Sequence, residues 1–551
     1  MSDDDRLTPD LRDRAFRWIA DDVDAETSAE LQSVLAAAMA GEPGAVANLA
    51  DRMAGSLDFG TAGLRGPVRA GPNGMNTAVV VRTTAGVASW LNRHGATSRI
   101  VVVGRDARHG SERFANAAAE VLFAAGFDAR LLPGPLPTPV LAFAVKHLRA
   151  SAGIQITASH NPPADNGYKL YDDSGAQIVP PADGEIEAAI AEAPGAVQIS
   201  RTLGVPVLGD EVLDAYLEKV ASIPRGTARS LRIAATALHG VGGEVLTEAL
   251  RRAGFTDVHL VAEQSVPDPD FPTVSFPNPE EPGATDLLLA LASRVDADVA
   301  IALDPDADRC AMGVRERDAS WRMLRGDETG VLLGDYVLGT TEQPDPLVAT
   351  TIVSSSMLGE VAAAHGARYA ETLTGFKWLT RAGEGLVYAY EEALGLCVNP
   401  HFVRDKDGIA AAVLACDFVA SLKEAGRSPL DVLDELSVRF GVHVTDQFSL
   451  RVTDLSVREK LMAALRMSPP SRLAGVEVAT EDLLPQTDAL RITGEGLRVV
   501  IRPSGTEPKL KAYLQVTRPP SEALAESRAA AKERLTALLA DIETLLTVPR
   551  N

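Results

Sequence analysis

Ile154-Gln155-Ile156-Thr157-Ala158-Ser159-His160-Asn161-Pro162 joins a short apolar run to a polar, turn-forming hexapeptide. A strand ending at Ile156 presents the Ser159 hydroxyl at its carboxyl end, the edge where open α/β sheets place their ligands. Alone, Ser159 reads equally well as a capping or turn serine, because Ser and Asn are ordinary turn residues. Two other loops change that balance. One is acidic, Asp304-Pro305-Asp306-Ala307-Asp308-Arg309. The other is basic and rich in hydroxyls, Arg502-Pro503-Ser504-Gly505-Thr506-Glu507-Pro508-Lys509. A serine, metal-type carboxylates and a phosphate-type cradle together point to phosphoryl transfer.

The fold follows from the flanks. Arg99-Ile100-Val101-Val102-Val103 reads as a buried strand, followed by Gly104-Arg105-Asp106-Ala107-Arg108, a helix near 112–125, and a second strand at Ala129-Arg130-Leu131-Leu132. Such strand–helix–strand rhythm predicts parallel α/β sheets. It recurs at Leu231-Arg232-Ile233-Ala234-Ala235, at Val299-Ala300-Ile301-Ala302-Leu303 and at 347–353. After about residue 445 strand-like runs crowd together (446–453, 475–480, 488–501, 511–517) before an Ala/Leu-rich helix near 521–546, which predicts a smaller α+β domain. Residues 1 to about 55 read as helical, and 266–283 as a Pro-rich connection.

Three aspartates at i, i+2 and i+4 after a buried strand aim their oxygens at one hard cation of the Mg²⁺ type; the alternative is a solvated acidic turn. An EF-hand is excluded, since Arg309 stands where its sixth position needs glycine and Arg315 where its twelfth needs glutamate. Lys169, in Asn166-Gly167-Tyr168-Lys169, is of the right type to move a proton on a sugar hydroxyl if the site lowers its pKa; the alternative is a surface lysine. His160 reads as a supporting contact. Phe59-Gly60-Thr61-Ala62-Gly63-Leu64-Arg65-Gly66 sets glycines around Arg65 as the Arg502–Lys509 loop sets glycine beside arginine and lysine, a composition suited to bidentate phosphate contacts. Thr374-Gly375-Phe376-Lys377-Trp378 and Tyr390-Glu391-Glu392-Ala393-Leu394-Gly395 offer groups for a neutral polyol. No P-loop, dinucleotide fingerprint, H-E-x-x-H or G-x-S-x-G elbow is present.

The chain has 551 residues, for which about three to five domains are expected. Its net charge of −22 argues against nucleic-acid binding. No apolar run reaches the roughly 18 residues of a membrane span, and the acidic start lacks a signal peptide's basic and apolar regions. Three well-separated cysteines (Cys310, Cys397, Cys416) fit a reducing cytoplasm, so a cytoplasmic location is expected.

The motifs TASHNP, DPDADR, TGFKW, EEALG, DKDG and RPSGTEPK, in that order, give a chain that resembles the α-D-phosphohexomutase superfamily of phosphoglucomutases and phosphomannomutases. The likeness runs from about residue 55 to the C terminus. It is nearest to the branch with EEALG in its sugar loop, which includes phosphopentomutase-like members. The resemblance implies four domains around a central cleft, three similar α/β domains and a smaller last one. Residues 1–205 would hold the helical extension and the phosphoserine domain, 206–318 the metal domain, 319–442 the sugar-binding domain and 443–551 the phosphate-binding domain.

It also implies roles. Ser159 is the phosphorylated serine and, with Asp304, Asp306 and Asp308, a Mg²⁺ ligand; Arg309 steadies the phosphoserine. Lys169 and Arg65, with His160 beside them, serve catalysis. Thr374, Gly375, Lys377, Glu391 and Glu392 face the sugar, with Lys406 of DKDG nearby, and Arg502, Ser504, Gly505, Thr506 and Lys509 hold the non-reacting phosphate. The implied reaction interconverts a sugar 1-phosphate and 6-phosphate, glucose first and mannose or ribose next, through a sugar bisphosphate. A metal-dependent phosphatase and a sugar-phosphate sensor are the competing readings. A monomer or weak homo-oligomer is expected, with a small-molecule phosphosugar as its partner. Ala393 and Leu394 stand where many members carry a serine, so one hydroxyl contact to the sugar is missing.

Overall fold

Strands and helices alternate through most of the chain in the computed structural model, which describes residues 6–60, 63–452, 455–503 and 509–547. They form two compact units, one of Met1–Pro224, Ser230–Cys310 and His401–Val413, the other of Arg225–Arg229, Ala311–Pro400 and Leu414–Asn551.

The first unit opens with three helices, Pro9–Asp21, Ala25–Ala40 and Ala45–Arg52. Thr8 and Asp24 cap the first two by accepting from Leu11 and Glu26 backbone N–H groups. Leu31, Leu35 and Leu49 enter the core of the first α/β domain. Arg52 then ties this extension to the following loop, pairing with Glu30 Oε1 at 2.6 Å and donating to the Ala70 carbonyl at 3.2 Å.

The first sheet contains β1 (Leu64–Pro67), β2 (Ile100–Arg105), β3 (Asp128–Pro135), β4 (Ala152–Ile156) and β5 (Asp165–Asp172), in the order β1-β5-β4-β2-β3. β2 runs parallel to β3 and β4, as the apolar runs predict. The rhythm predicted parallel-sheet units, and to these the structure adds β5, which runs antiparallel to β4 and β1. Residues 157–164 are too few for the crossover a parallel return needs, so the chain doubles back. The serine hexapeptide thereby becomes the β4–β5 connection. The same reversal pairs Lys169 with Gln155 and Arg65 with Gly167, beside the carboxyl end of β4.

The next strands, β6 (Arg232–Thr236), β7 (Asp257–Leu260) and β8 (Val299–Leu303), run parallel in the order β7-β6-β8. β8 is buried at every position and ends at Leu303, directly before Asp304. Two glycines admit close approach to the loop that follows. A Cβ at Gly240 would lie 2.3 Å from Pro305 Cα, and one at Gly408 would lie 2.5 Å from the Arg309 carbonyl oxygen.

β9 (Cys310–Arg315), which lies in the second unit from Ala311 onward, forms a hairpin with β10 (Trp321–Met323). A sheet of β11 (Leu347–Thr351), β12 (Arg368–Thr372), β13 (Leu386–Glu391) and β14 (Gly395–Cys397) follows, ordered β12-β11-β13-β14. β11 is parallel to β12 and β13, and only β14 is antiparallel. The last sheet is antiparallel, ordered β15-β20-β19-β18-β17-β16, from β15 (Val442–Arg451), β16 (Arg472–Leu473), β17 (Val476–Asp482), β18 (Leu490–Gly494), β19 (Leu497–Pro503) and β20 (Lys509–Arg518). The apolar run 488–501 is two strands, reversed at Glu495–Gly496, where Gly496 has φ +63°. Leu524–Thr547 lays Ala531, Leu538, Ile542 and Leu546 against this sheet. Ile352, Val353, Ala489, Val500 and Tyr513 join the two sheets, and Arg491 and Arg498 both grip Glu371. No helix among the described residues is long and apolar enough to cross a membrane.

Candidate active site

Within the first unit, β4 and β8 end in the two loops singled out by the sequence. Ser159 is 1% exposed and has φ +53°, the left-handed region that serine enters only when its surroundings fix it there. Its N–H donates to Thr157 Oγ1 at 2.9 Å, and its own hydroxyl donates to Asp304 Oδ2 at 2.8 Å. Arg309 Nη1 donates to Ser159 Oγ at 3.1 Å and also bonds His160 Nδ1. Arg65 Nη1 reaches Asn161 Oδ1 at 2.9 Å. Burial, with Arg309 and Arg108 close by, pulls the Arg65 guanidinium below its ordinary pKa. Like charges gathered around one hydroxyl make a place for an anion. Burial, Arg309 and Arg65 drive His160 well below the usual imidazole range, so it is neutral with Arg309 on its Nδ1.

Asp304, Asp306 and Asp308 are all fully buried, with ligand oxygens within 4.8 Å of one another. Lys169 Nζ donates to Asp306 Oδ2 at 2.7 Å and Asp308 Oδ2 at 2.9 Å, and Thr138 Oγ1 donates to Asp306 Oδ2 at 2.6 Å. Lys406 Nζ lies 3.2 Å from Asp308 Oδ2, both residues being in the first unit. The remaining oxygens, Asp306 Oδ1 and Asp308 Oδ1, are buried and accept no hydrogen bond. Burial and the two neighbouring carboxylates push Asp304 well above the carboxylate range. Two orphaned carboxylate oxygens, an all-oxygen donor set and a carboxyl forced toward its neutral form fit a hard divalent cation of the Mg²⁺ class.

The sequence asked for a Lys169 with a lowered pKa, and the structure corrects it. Burial does lower the ammonium's pKa, but Asp306 and Asp308 outweigh burial and raise it, so Lys169 is charged at neutral pH. Asp306 is the mirror image: burial raises it, but Lys169 and Thr138 hold it below the usual range.

The other predicted residues lie in the second unit. Gly375, at φ +107°, turns the chain from Thr374 into the short helix Phe376–Leu379, where Lys377 is buried with Nζ 5.2 Å from the Trp378 ring. Glu391 ends β13, and Glu392 Oε2 accepts from Ser354 Oγ at 2.8 Å and Thr351 Oγ1 at 3.2 Å. Burial pushes the Tyr513 hydroxyl up, the charges of Glu392 and Glu391 add to the rise and Arg502 opposes it, so three predicted residues act on one hydroxyl. Lys509 begins β20, whereas Ser504, Gly505 and Thr506 lie outside the described residues.

Burial, with Glu391 and Asp327 adding repulsion, pushes Glu392 up to about 7 from an ordinary 4.5. A carboxyl whose folded-state pKa is raised gives stability that is complete below about pH 4.5 and lost as pH climbs through 7. Because Glu392 keeps part of its surface in solvent, we expect the loss to be about 1 kcal/mol. Urea unfolding at pH 5 and pH 8 should show Glu392→Gln matching the parent at the lower pH and exceeding it at the higher.

Several residues around these groups were missed in the sequence. Arg108, Asn161 and Thr138 contact the serine and acidic loops, and Ser354 holds Glu392. Arg108 had a legible signal, since Gly104-Arg105-Asp106-Ala107-Arg108 follows a strand that neighbours β4. The contacts of Thr138 and Ser354 join residues far apart in the chain and left no local pattern.

Four family models match: phosphoglucomutase/phosphomannomutase α/β/α domain I at residues 56–195, domain II at 214–317, domain III at 325–440 and the C-terminal domain at 451–533. A Haemophilus influenzae protein named "Probable phosphomannomutase" is 45% identical over 451 residues, covering 80% of this chain and 93% of its own. Human phosphopentomutase is 33% identical over 88% of this chain and 89% of its own, and Staphylococcus aureus phosphoglucomutase 32% over 85% and 91%. The solved structure of a phosphoglucomutase/phosphomannomutase family protein from Burkholderia thailandensis shares the fold, with a TM-score of 0.69 and 21% identity over 89% of this chain and 98% of that one.

Proposed function

Because this chain belongs to the phosphoglucomutase/phosphomannomutase family and is therefore a sugar-phosphate mutase, an intramolecular phosphotransferase, we propose that it interconverts glucose 1-phosphate and glucose 6-phosphate through phospho-Ser159 and a glucose bisphosphate. The observation that carries the mechanism is Ser159 Oγ held between Asp304 and Arg309, beside carboxylate oxygens that nothing else satisfies.

In the proposed reaction the phosphoryl group passes from Ser159 Oγ to the free sugar hydroxyl, and one proton passes the other way. Lys169 relays it, giving its own proton to the serine oxygen and taking the hydroxyl's. Arg309 and Arg65 hold the moving phosphoryl oxygens, and His160 steers Arg309 onto the serine. Asp304, Asp306, Asp308 and the serine oxygen would hold Mg²⁺, which when bound neutralises phosphoryl charge. Glu391 and Glu392 accept from sugar hydroxyls, with Thr374, Gly375, Lys377 and Lys406 contributing to substrate binding. Arg502, Ser504, Gly505, Thr506 and Lys509 take the other phosphate. Reversing the bisphosphate lets its second phosphoryl return to Ser159.

The same premise assigns the phosphoserine, metal, sugar and phosphate functions to residues 1–205, 206–318, 319–442 and 443–551. The name of the H. influenzae relative makes mannose 1-phosphate the second substrate to try, and the 33% identical phosphopentomutase makes ribose 1-phosphate the third. The deciding assay measures turnover of all three with Mg²⁺ and a trace of the matching bisphosphate. Glucose 1-phosphate is expected to convert fastest, and preference for another sugar would replace it as substrate. Phosphate release matching substrate loss would mean a phosphatase. No conversion together with an unphosphorylatable Ser159 would leave a sensor.

A further inference from the structure

The Ser159 loop is wrapped around a single buried cation. The Arg108 side chain is 1% exposed, and both of its terminal nitrogens donate twice, entirely to backbone. Nη2 reaches the carbonyls of Ser159 and Asn161, both at 2.6 Å. Nη1 reaches those of Pro162 at 2.8 Å and Asp165 at 3.1 Å. Behind the guanidinium stands Asp106, 3.4 Å from Nε and 2% exposed, and the Phe271 ring lies 4.9 Å from its centre. Asp106 is fixed in turn, accepting from Ser111 Oγ at 2.5 Å and from the Arg108 N–H at 2.9 Å. Asn166 Nδ2 donates to the same Ser111 hydroxyl at 2.9 Å, so the loop after β2 grips the start of β5 as well.

This arrangement has a consequence for the serine. Four carbonyls between residues 159 and 165 converge on one point only if the chain curls around it, and the curl carries Ser159 into its left-handed conformation. That conformation aims Oγ at Asp304 and Arg309. A buried charge this well hydrogen-bonded is rigid, because every donor lost would leave a carbonyl or a cation unsatisfied in a dry site. Lysine cannot replace it: its compact ammonium has three donors and cannot span four carbonyls.

We propose that Arg108, backed by Asp106, is the positioning residue that sets the reactive geometry of Ser159, acting on the loop backbone and not on the substrate. The proposal rests on the mutase reading for its kinetic consequence but not for its structural one, and the two are tested apart. The first measurement is hydrogen–deuterium exchange of the full-length protein. Arg108→Lys and Asp106→Asn are each expected to speed exchange at least ~10-fold across residues 157–166, with the β8 strand and the second unit unchanged.

The second is turnover of glucose 1-phosphate with Mg²⁺. Arg108→Lys should lower kcat by about 100-fold, the effect of misplacing a reacting atom by about an ångström, with KM within about threefold. Asp106→Asn, which leaves the guanidinium in place, should lose less. In Arg108→Ala, added guanidinium ion at millimolar concentration should recover part of the lost kcat, which a general loss of fold would not allow. Unchanged exchange in 157–166 for both variants, or kcat of Arg108→Lys within about threefold of the parent, overturns the proposal. If the parent protein turns over no sugar phosphate, the mutase reading fails, and the exchange data still decide the role of Arg108.

Discussion

Ser159→Ala is expected to reduce mutase turnover by at least about 10⁴-fold, as removing an attacking oxygen does in other covalent mechanisms. The change is otherwise small. Alanine accepts the same backbone conformation at a similar cost, and the fold loses one hydrogen bond to Asp304 and one from Arg309, about 1–2 kcal/mol. The melting transition should therefore fall by only a few degrees. Mass spectrometry after incubation with sugar bisphosphate should find the phosphoryl group on the parent serine and none on the variant. Ser159→Thr sharpens the test, because it keeps a hydroxyl but adds a methyl at φ +53°, a conformation that β-branched residues resist. We expect it to lose about 100-fold. Turnover of Ser159→Ala within tenfold of the parent would sink the phosphoserine mechanism.

The contrast between those two variants shows what the sequence could and could not reveal. Serine, histidine and asparagine after an apolar run announce a functional loop, and three alternating aspartates after another announce a metal-type loop. Both signals are local, and both loops stand at strand ends as expected. The left-handed turn at Ser159 was not legible, because it is imposed by Arg108 from the neighbouring strand's loop. The direction of β5 was equally hidden behind the parallel rhythm of its neighbours, although the length of 157–164 carried the clue. The charge state of Lys169 depended on the tertiary contact that sets it against Asp306 and Asp308, and residues 306 and 308 lie far from it in the chain. Local chemistry is written in a segment, whereas pKa values and backbone strain are written in the partners that tertiary structure supplies.

Lys169 gives the second large effect, and it separates two roles that a single substitution confuses. The ammonium neutralises two fully buried carboxylates and, in the proposed reaction, exchanges a proton. Lys169→Met removes both functions. Turnover should fall by about 10²–10⁴-fold, the usual worth of a positioned acid or base. Stability in EDTA at neutral pH should fall by about 3 kcal/mol, because Asp306 loses its ammonium partner and Asp308 keeps only Lys406. Mg²⁺ should return much of that loss. Lys169 occupies the Oδ2 atoms while both Oδ1 atoms stand unpartnered, so a metal on the latter takes over the neutralisation. The thermal shift on adding Mg²⁺ is thus expected to be larger in Lys169→Met than in the parent. Lys169→Arg isolates the proton. A guanidinium preserves the charge beside Asp306 and Asp308 and with it most of the stability, but it does not release a proton in the working pH range, so turnover should remain within about tenfold of the methionine variant. If Lys169→Arg instead recovers near-parental kcat, the lysine acts through its charge alone and the proton must travel by another residue.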